Sequence, residues 1–307
     1  MSLTSLKDLI NNNLNEEEIK KVAVAAAEDK HVLLALKSAW IKKIAKPVLI
    51  GNVEKIKEIA SSIDFNLEDI ELIDEKNPEK SSKIAVDLVS SQKAAILMKG
   101  LVSTASLLRA VLNKENGLKR NTTLSHFALF EIPTYHKLLG ITDAAMNIAP
   151  DLNEKISIIK NAVNATRGIG ITLPKVAIVC PVEVVNQKIE STIHASIITT
   201  MNRRNQIKKC VIDGPLALDI AISKEAALHK GIDNEVAGDA DILLTPDLNS
   251  GNILYKSLAF MAGGKSAAII TGSSVPIVLT SRSDTEETKL YSIALAASIN
   301  STKKNSN

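Results

Sequence analysis

Short apolar runs that end in glycine or in polar clusters alternate along this chain with stretches where apolar residues recur every three or four positions. The first periodic stretch, EEEIKKVAVAAAEDKHVLLALKSAWIKK (16–43), predicts a helix. Pro47 then opens PVLIGN, a strand that stops at Gly51. The alternation continues: VEKIKEIASSI predicts a helix, EDIELID a half-buried strand, SSKIAVDLVSSQ a helix, and AAILMKG a buried strand ending in Lys99 and Gly100. STASLLRAVLNKE predicts a helix with Ser103 or Thr104 as N-cap, and LSHFALFEIP a further strand. Continuously apolar strands between amphipathic helices imply a parallel sheet covered by helices.

A second run of the same kind follows NIAPDLNEK (147–155). It has a helix near 154–165, the strand KVAIVCP, a helix over about 187–201, the segment CVIDGPLALDIAIS, and then ADILLTPDLNSGN. NILYKSLAFMAGG predicts another helix, SAAIITG and VPIVLT two strands, and 284–301 a last helix. The tetrapeptide PDLN stands at 150–153 and again at 246–249, with no wider repeat around either copy. Read as crossings, the copies bound an inserted domain, 150–252, within a first domain made of 1–149 plus 253–307; coincidence explains the pair equally well. The fold expected is α/β, two α/β domains with mainly parallel sheets and a cleft between them, and such a cleft is where a ligand would sit.

The bulk numbers narrow the class. A chain of 307 residues can bury two cores. Aromatic residues make up only 3% of it, too few for a base-stacking platform, and the excess of basic over acidic residues, 37 − 34 = 3, is spread along the chain, so nucleic acid is not an expected partner. Cys180 and Cys210 are the only cysteines, which suits a reducing compartment. The start, MSLTSLKDLINNN, has no basic segment followed by an apolar one, and no stretch reaches the roughly 18 apolar residues of a membrane span. A soluble, cytoplasmic protein with no membrane partner is expected.

Several stretches invite a chemical reading. AGGKSAAII (262–270) ends like a P-loop, but Ala259 stands where its first glycine belongs and a strand follows rather than precedes it. RGIGI (167–171) fails as a dinucleotide fingerprint because Leu173 occupies the third glycine position. The five histidines have no metal-ligand spacing, so no metal is assigned. His126, within an apolar strand, and Cys180, at a strand end, fit buried core positions.

MKGLVST (98–104) places Lys99 and Gly100 at the end of a buried strand and Ser103 and Thr104 at a helix start. A structural turn and an anion site fit it equally. PDLNSGNILYK (246–256) has the same build, with Gly251 followed by Asn252, Tyr255 and Lys256 in the first turns of a helix. An amide, a phenol and an ammonium there suit a phosphate or acyl oxygen. In VPIVLTSRSDTEETKL (275–290) an apolar strand runs into Ser281, Arg282 and Asp284. A guanidinium at such an edge is a planar donor fork able to clamp a tetrahedral anion, whereas acids just beyond it are common as helix caps.

Taken together, these segments resemble the phosphate acetyl/butyryl transferases, and most closely the phosphate butyryltransferase branch. AGDADILLTPDLNSGNILYKSLAFMAGGKSAAIITGSSVPIVLTSRSDTEETKLYSIALAA is similar to the family's C-terminal part, and VAVAAAED, LMKGLVST, LSHFALFEIP, TDAAMNIAPDL, KVAIVCPVEVVN and DGPLALDIAISKEAA are similar to further segments in the same order. The resemblance implies an isopropylmalate dehydrogenase-like fold and a reversible transfer of a short-chain acyl group between coenzyme A and inorganic phosphate. No metal, no tightly bound cofactor and no covalent acyl-enzyme is implied. Its partners are then acyl-CoA, inorganic phosphate and acyl phosphate, within a homodimer or larger homo-oligomer.

The family's phosphate-binding Ser-Arg pair matches Ser281 and Arg282, and Asp284 is assigned as the base for the coenzyme A thiol. The stretch after the pair is shorter here than in the acetyltransferases, which leaves Glu286, or a residue outside the motif, as alternatives. Lys99, Gly100, Ser103, Thr104, Gly251, Asn252, Tyr255 and Lys256 are assigned to substrate binding, with backbone N–H groups near Gly100 or Gly251 as candidate oxyanion donors. An acetyl-CoA enzyme and a catalytically silent relative that binds coenzyme A or acyl phosphate are the alternatives; intact Ser281, Arg282 and Lys256 count against the second.

Overall fold

The computed structural model describes residues 4–13, 19–118, 122–280 and 284–300. The chain divides into two compact units, Lys7–Thr122 with Ala267–Asn307, and Thr123–Ser266 with the start of the chain up to Leu6. The second is thus inserted into the first, at 123 and 266 rather than at the 150 and 252 expected from the PDLN copies.

In the interrupted unit α1 (Leu6–Asn13), β1 (Lys20–Ala25), α2 (Lys30–Ile41), β2 (Ala45–Gly51), α3 (Val53–Ser62), β3 (Glu71–Asp74), α4 (Pro78–Ser90), β4 (Ile96–Lys99) and α5 (Thr104–Val111) come first. The inserted unit holds β5 (Ser125–Glu131), β6 (Leu139–Thr142), α6 (Leu152–Gly168), β7 (Lys175–Val179), α7 (Glu190–Arg203), β8 (Val211–Leu216), α8 (Leu218–Ile222), α9 (Lys224–His229), β9 (Ile242–Leu244) and α10 (Leu248–Phe260). The chain returns through β10 (Lys265–Thr271), β11 (Ile277–Val278) and α11 (Glu286–Asn300).

Strands of the interrupted unit run in the order β3-β2-β1-β4-β11-β10, all parallel except for the β10–β11 pair. Those of the inserted unit run β5-β6-β9-β7-β8, again parallel except for β5–β6. The β6–β9 ladder pairs Thr142 with Leu244. It carries 125–142 into the same unit as 150–252, which moves the first boundary back to 123. Both PDLN segments lie inside this unit and are helix starts. Asp151 caps α6 by accepting from Glu154 N, and Asp247 caps α10 by accepting from Ser250 N.

Two element expectations fail for instructive reasons. Part of the helix expected over 16–43 is β1, while 16–18 lie outside the described residues. Val22 to Ala25 are fully buried between β2 and β4. A run of small apolar residues buried on both faces has no polar side to reveal its period. The helix starts only after Asp29, whose carboxylate accepts from Val32 N. VPIVLT, expected as a long buried strand, forms only two ladder residues. Pro276 has no N–H to give, and its carbonyl accepts from Leu97 N. Helices α1 and α9 and strand β6 are additional to the elements expected from the sequence.

Candidate active site

At the C-terminal edge of the interrupted unit's sheet, Ala25 pairs with Lys99 and Val278 with Met98. The chain therefore leaves β11 beside the Lys99–Gly100 turn, so the ladder brings two of the stretches singled out by sequence to one edge. Gly100 sits against the end of β1: a Cβ there would collide with Ala26 O and come within 2.7 Å of Ala25 O. Its N–H is already spent, donating to Ala25 O at 2.8 Å, and Leu101 N donates to Ala26 O at 2.6 Å. Gly100 is a close-approach glycine whose own N–H is held within the turn.

Lys99, 7% exposed, turns its ammonium onto the carbonyls of Gly100 and Val102 at 3.2 and 3.3 Å. Ser103 caps α5 by accepting from Ser106 N, and Thr104 is the first residue of that helix, with an exposed side chain. Glu28 follows β1 at the same edge, and its Oε2 is buried without a hydrogen-bond partner among the described residues.

Ser281 and Arg282 lie outside the described residues. Asp284, half-buried, does not cap α11. Thr285 does, accepting from Thr288 N at 3.1 Å. Lys289, 2% exposed, donates to the backbone carbonyl of Asp284 at 2.6 Å. Burial pulls the Lys289 ammonium below the usual lysine range, with the charges of Asp284 and Asp29 opposing the shift. Glu286, the alternative base, accepts from the Ser38 hydroxyl of α2 at 3.0 Å.

In the inserted unit the pairing of Thr142 with Leu244 sets the turns after β6 and β9 side by side. Asp143, 3% exposed, accepts from Ala145 N, Met146 N and the Asn147 amide, so its carboxylate organises its own turn. Thr245 donates to the carbonyls of this turn, and Gly251 packs so closely that a Cβ would collide with Asp143 O. The N–H of Gly251 itself belongs to α10, donating to Asp247 O. Asn252 gives its amide to Ala144 O at 3.1 Å.

Tyr255 stacks edge-on against His126 and Phe130, its hydroxyl 3.5 Å from Ser266 Oγ, while Lys256 is exposed. Of the residues expected on α10, then, Gly251, Asn252 and Tyr255 hold the edge together and Lys256 is open to solvent. Asp143 and Thr245 escaped the sequence reading. Their signal was the one that marked Arg282: polar residues directly after an apolar strand.

A family model described as Phosphate acetyl/butaryl transferase matches residues 5–87 and 75–297. The chain is 50% identical over 284 residues to the phosphate butyryltransferase of Clostridium acetobutylicum, covering 92% of this chain and 94% of that one. It is 45% identical over 278 residues to the phosphate acetyltransferase of Thermotoga maritima, covering 91% and 94%. Among solved structures, a branched-chain phosphotransacylase from Enterococcus faecalis superposes with a TM-score of 0.81 at 32% identity, over 92% of this chain and 99% of that one. A 4-hydroxythreonine-4-phosphate dehydrogenase from Burkholderia phymatum, at TM-score 0.55 and 13% identity over 92% and 99%, shares the fold alone.

These likenesses, on an α/β fold with polar turns at its strand ends, make the chain a phosphate acyltransferase. It belongs to the phosphate acetyl/butyryl transferase family.

Proposed function

We propose that this chain reversibly transfers a short-chain acyl group, butyryl foremost, between coenzyme A and inorganic phosphate. The observation that carries the choice of acyl group is the 50% identity to a phosphate butyryltransferase over 92% of the chain. The 45% identity to a phosphate acetyltransferase keeps acetyl-CoA as the second reading.

In this reading Ser281 and Arg282 hold the phosphate while one of its oxygens attacks the thioester carbonyl. The C–S bond breaks as the tetrahedral intermediate collapses, giving acyl phosphate and the coenzyme A thiolate. Preorganised cations do most to lower the barrier of such a step, because the attack brings two negative centres together. In reverse, Asp284 takes the thiol proton, since a thiol of pKa about 8.5 is mostly neutral near pH 7. Lys99, Ser103, Thr104 and Lys256 contact the substrates, and Gly100, Gly251, Asn252 and Tyr255 shape the backbone around them. Support for this division comes from Gly100 and Gly251, which have no free N–H, and from Lys256, which is solvent-exposed.

We further propose a cytoplasmic homodimer or larger homo-oligomer with no resident cofactor. Ile253, Phe260 and Met261, 67%, 77% and 84% exposed on and just after α10, support a second copy as the occupant of that face.

Release of free thiol from butyryl-CoA, with and without phosphate, tests the function. Phosphate-dependent release, faster than from acetyl-CoA, is expected. Equal or faster release from acetyl-CoA selects the second reading, and thiol release that ignores phosphate overturns both.

A further inference from the structure

Lys155 lies one turn into α6 and is 4% exposed, although its side chain ends in a charge. Its ammonium meets His194 Nδ1 of α7 at 3.1 Å and makes no ion pair among the described residues. Four titratable groups besides His194 face it: Glu190 at the start of α7, Cys180 at the end of β7, Asp247 before α10 and Asp151 before α6. Two of the carboxylates are already committed. Asp151 accepts from Glu154 N, and Asp247 accepts from both the N–H and the hydroxyl of Ser250. Glu190 is exposed, and burial pushes the Cys180 thiol up, which keeps it neutral.

The position matters as much as the burial. α6, α7 and α10 each follow a strand of the inserted unit's parallel ladder, β6, β7 and β9, so all three begin at the C-terminal edge of that sheet, the edge where such folds take ligands. An ammonium has three donors and no acceptor, and one neutral imidazole nitrogen satisfies only one of them. A buried charge without a counterion is costly, and an apolar side chain of the same length would fill the space at less cost. Burial also pulls Lys155 below the usual lysine range, opposed by Glu190, Cys180, Asp247 and Asp151. A cation retained at a ligand edge with two donors unused among the described residues is suited to receive an anion.

We propose that Lys155 binds a phosphate oxygen of a substrate, with His194 as a positioning residue that holds the ammonium in place. The choice of substrate rests on the proposed function; the phosphate chemistry does not. Two sources share that chemistry, namely the phosphate that is transferred, free or as acyl phosphate, and the phosphate groups of coenzyme A.

The full chain and its Lys155→Met variant are compared in two ways. Thermal midpoints are recorded with inorganic phosphate or coenzyme A added, and KM is measured for each in the acyl transfer. Lys155→Met is expected to lose the midpoint rise given by one of the two ligands and to raise the KM of that ligand by about tenfold or more, the loss expected with a charge-assisted hydrogen bond. A rise confined to phosphate identifies the transferred group, and a rise confined to coenzyme A identifies its phosphates.

His194→Phe should shift the same KM in the same direction, and His194→Asn, which keeps an acceptor near the Nδ1 position, should restore it. If Lys155→Met does not fold, Lys155→Gln carries the same comparison. Should both KM values and both midpoint shifts stay within about twofold of the unmodified chain, the proposal is overturned. If the unmodified chain shows no phosphate-dependent transfer, the proposed function fails while the midpoint measurements still decide the role of Lys155.

Discussion

Arg282 and Asp284 stand two positions apart and call for opposite tests, because a cation that clamps and a carboxylate that moves a proton fail differently. Arg282→Lys keeps the charge but loses the planar fork. Turnover should fall by about tenfold or more, in line with the roughly 1.5–3 kcal/mol of a charge-assisted hydrogen bond. Phosphate-dependent turnover that survives Arg282→Ala nearly intact would remove the clamp. For Asp284→Asn, transfer from acyl phosphate to coenzyme A should slow by about 10² to 10⁴, the range for a lost general base. The deficit should narrow as pH nears the thiol pKa of about 8.5, where thiolate forms unaided. Because Thr285 caps α11, any fall in the thermal midpoint of Asp284→Asn should come from the charge lost beside the buried Lys289 and not from the helix start. A normal pH–rate profile for Asp284→Asn beside a collapsed one for Glu286→Gln would move the role to Glu286. If both are normal, Glu28 is the next residue to replace, since one of its oxygens is buried and unpartnered among the described residues.

Among the elements, β9 is held at its start by a charge cluster. Asp239 takes Lys137 at 2.8 Å, Lys175 at 2.6 Å and His136 at 2.7 Å, and Lys137 also reaches Asp241 at 2.8 Å. Burial opposes ionisation of Asp239, but hydrogen bonds from Lys137, Lys175 and His136 outweigh it and hold the carboxyl well below the usual carboxylate range. A group whose folded pKa is depressed adds stability that is complete above its unfolded value of about 4 and fades as pH falls below it. Asp239→Asn should therefore lower the thermal midpoint at pH 7. The gap between variant and unmodified chain should then begin to narrow as pH is taken from about 4 to about 3, where the unfolded chain gains a proton at this group that the folded chain still lacks. An equal gap at both pH values would mean that the cluster acts through packing alone. The side chain of Asp239 is 37% exposed, so solvent and salt screen part of the effect.

At the scale of the whole molecule, the proposed self-association is tested on a single helix face. α10 buries only Gly251, and Phe260 and Met261 at its far end are open to water. Phe260→Lys places a charge in that apolar face. If the face pairs with a second copy, the mass by light scattering should fall to that of a smaller assembly while the thiol-release assay tracks the consequence for activity. An unchanged mass would put the interface elsewhere.

The helix and strand alternation was legible residue by residue, because most strands here are apolar runs closed by glycine or a polar turn, and most helices keep one polar side. The motifs were legible too, since a polar cluster directly after an apolar strand marks a strand end in any parallel sheet. Periodicity could not separate β1 from the helix after it, because Val22 to Ala25 are buried on both faces. Nor could it tell that Asp151 and Asp247 begin two helices of one unit, as a capping carboxylate looks the same in sequence as one at a domain crossing. The sequence by itself determined the α/β class, most of the order of the elements and the polar clusters at strand ends, for each is a local matter of apolar spacing and turn residues. Tertiary structure decided which donors are already spent, at Gly100, Gly251 and Asn252, and that Lys155 is buried without a carboxylate partner among the described residues. Those outcomes depend on ladder register and on contacts between residues far apart in the chain, which no local pattern records.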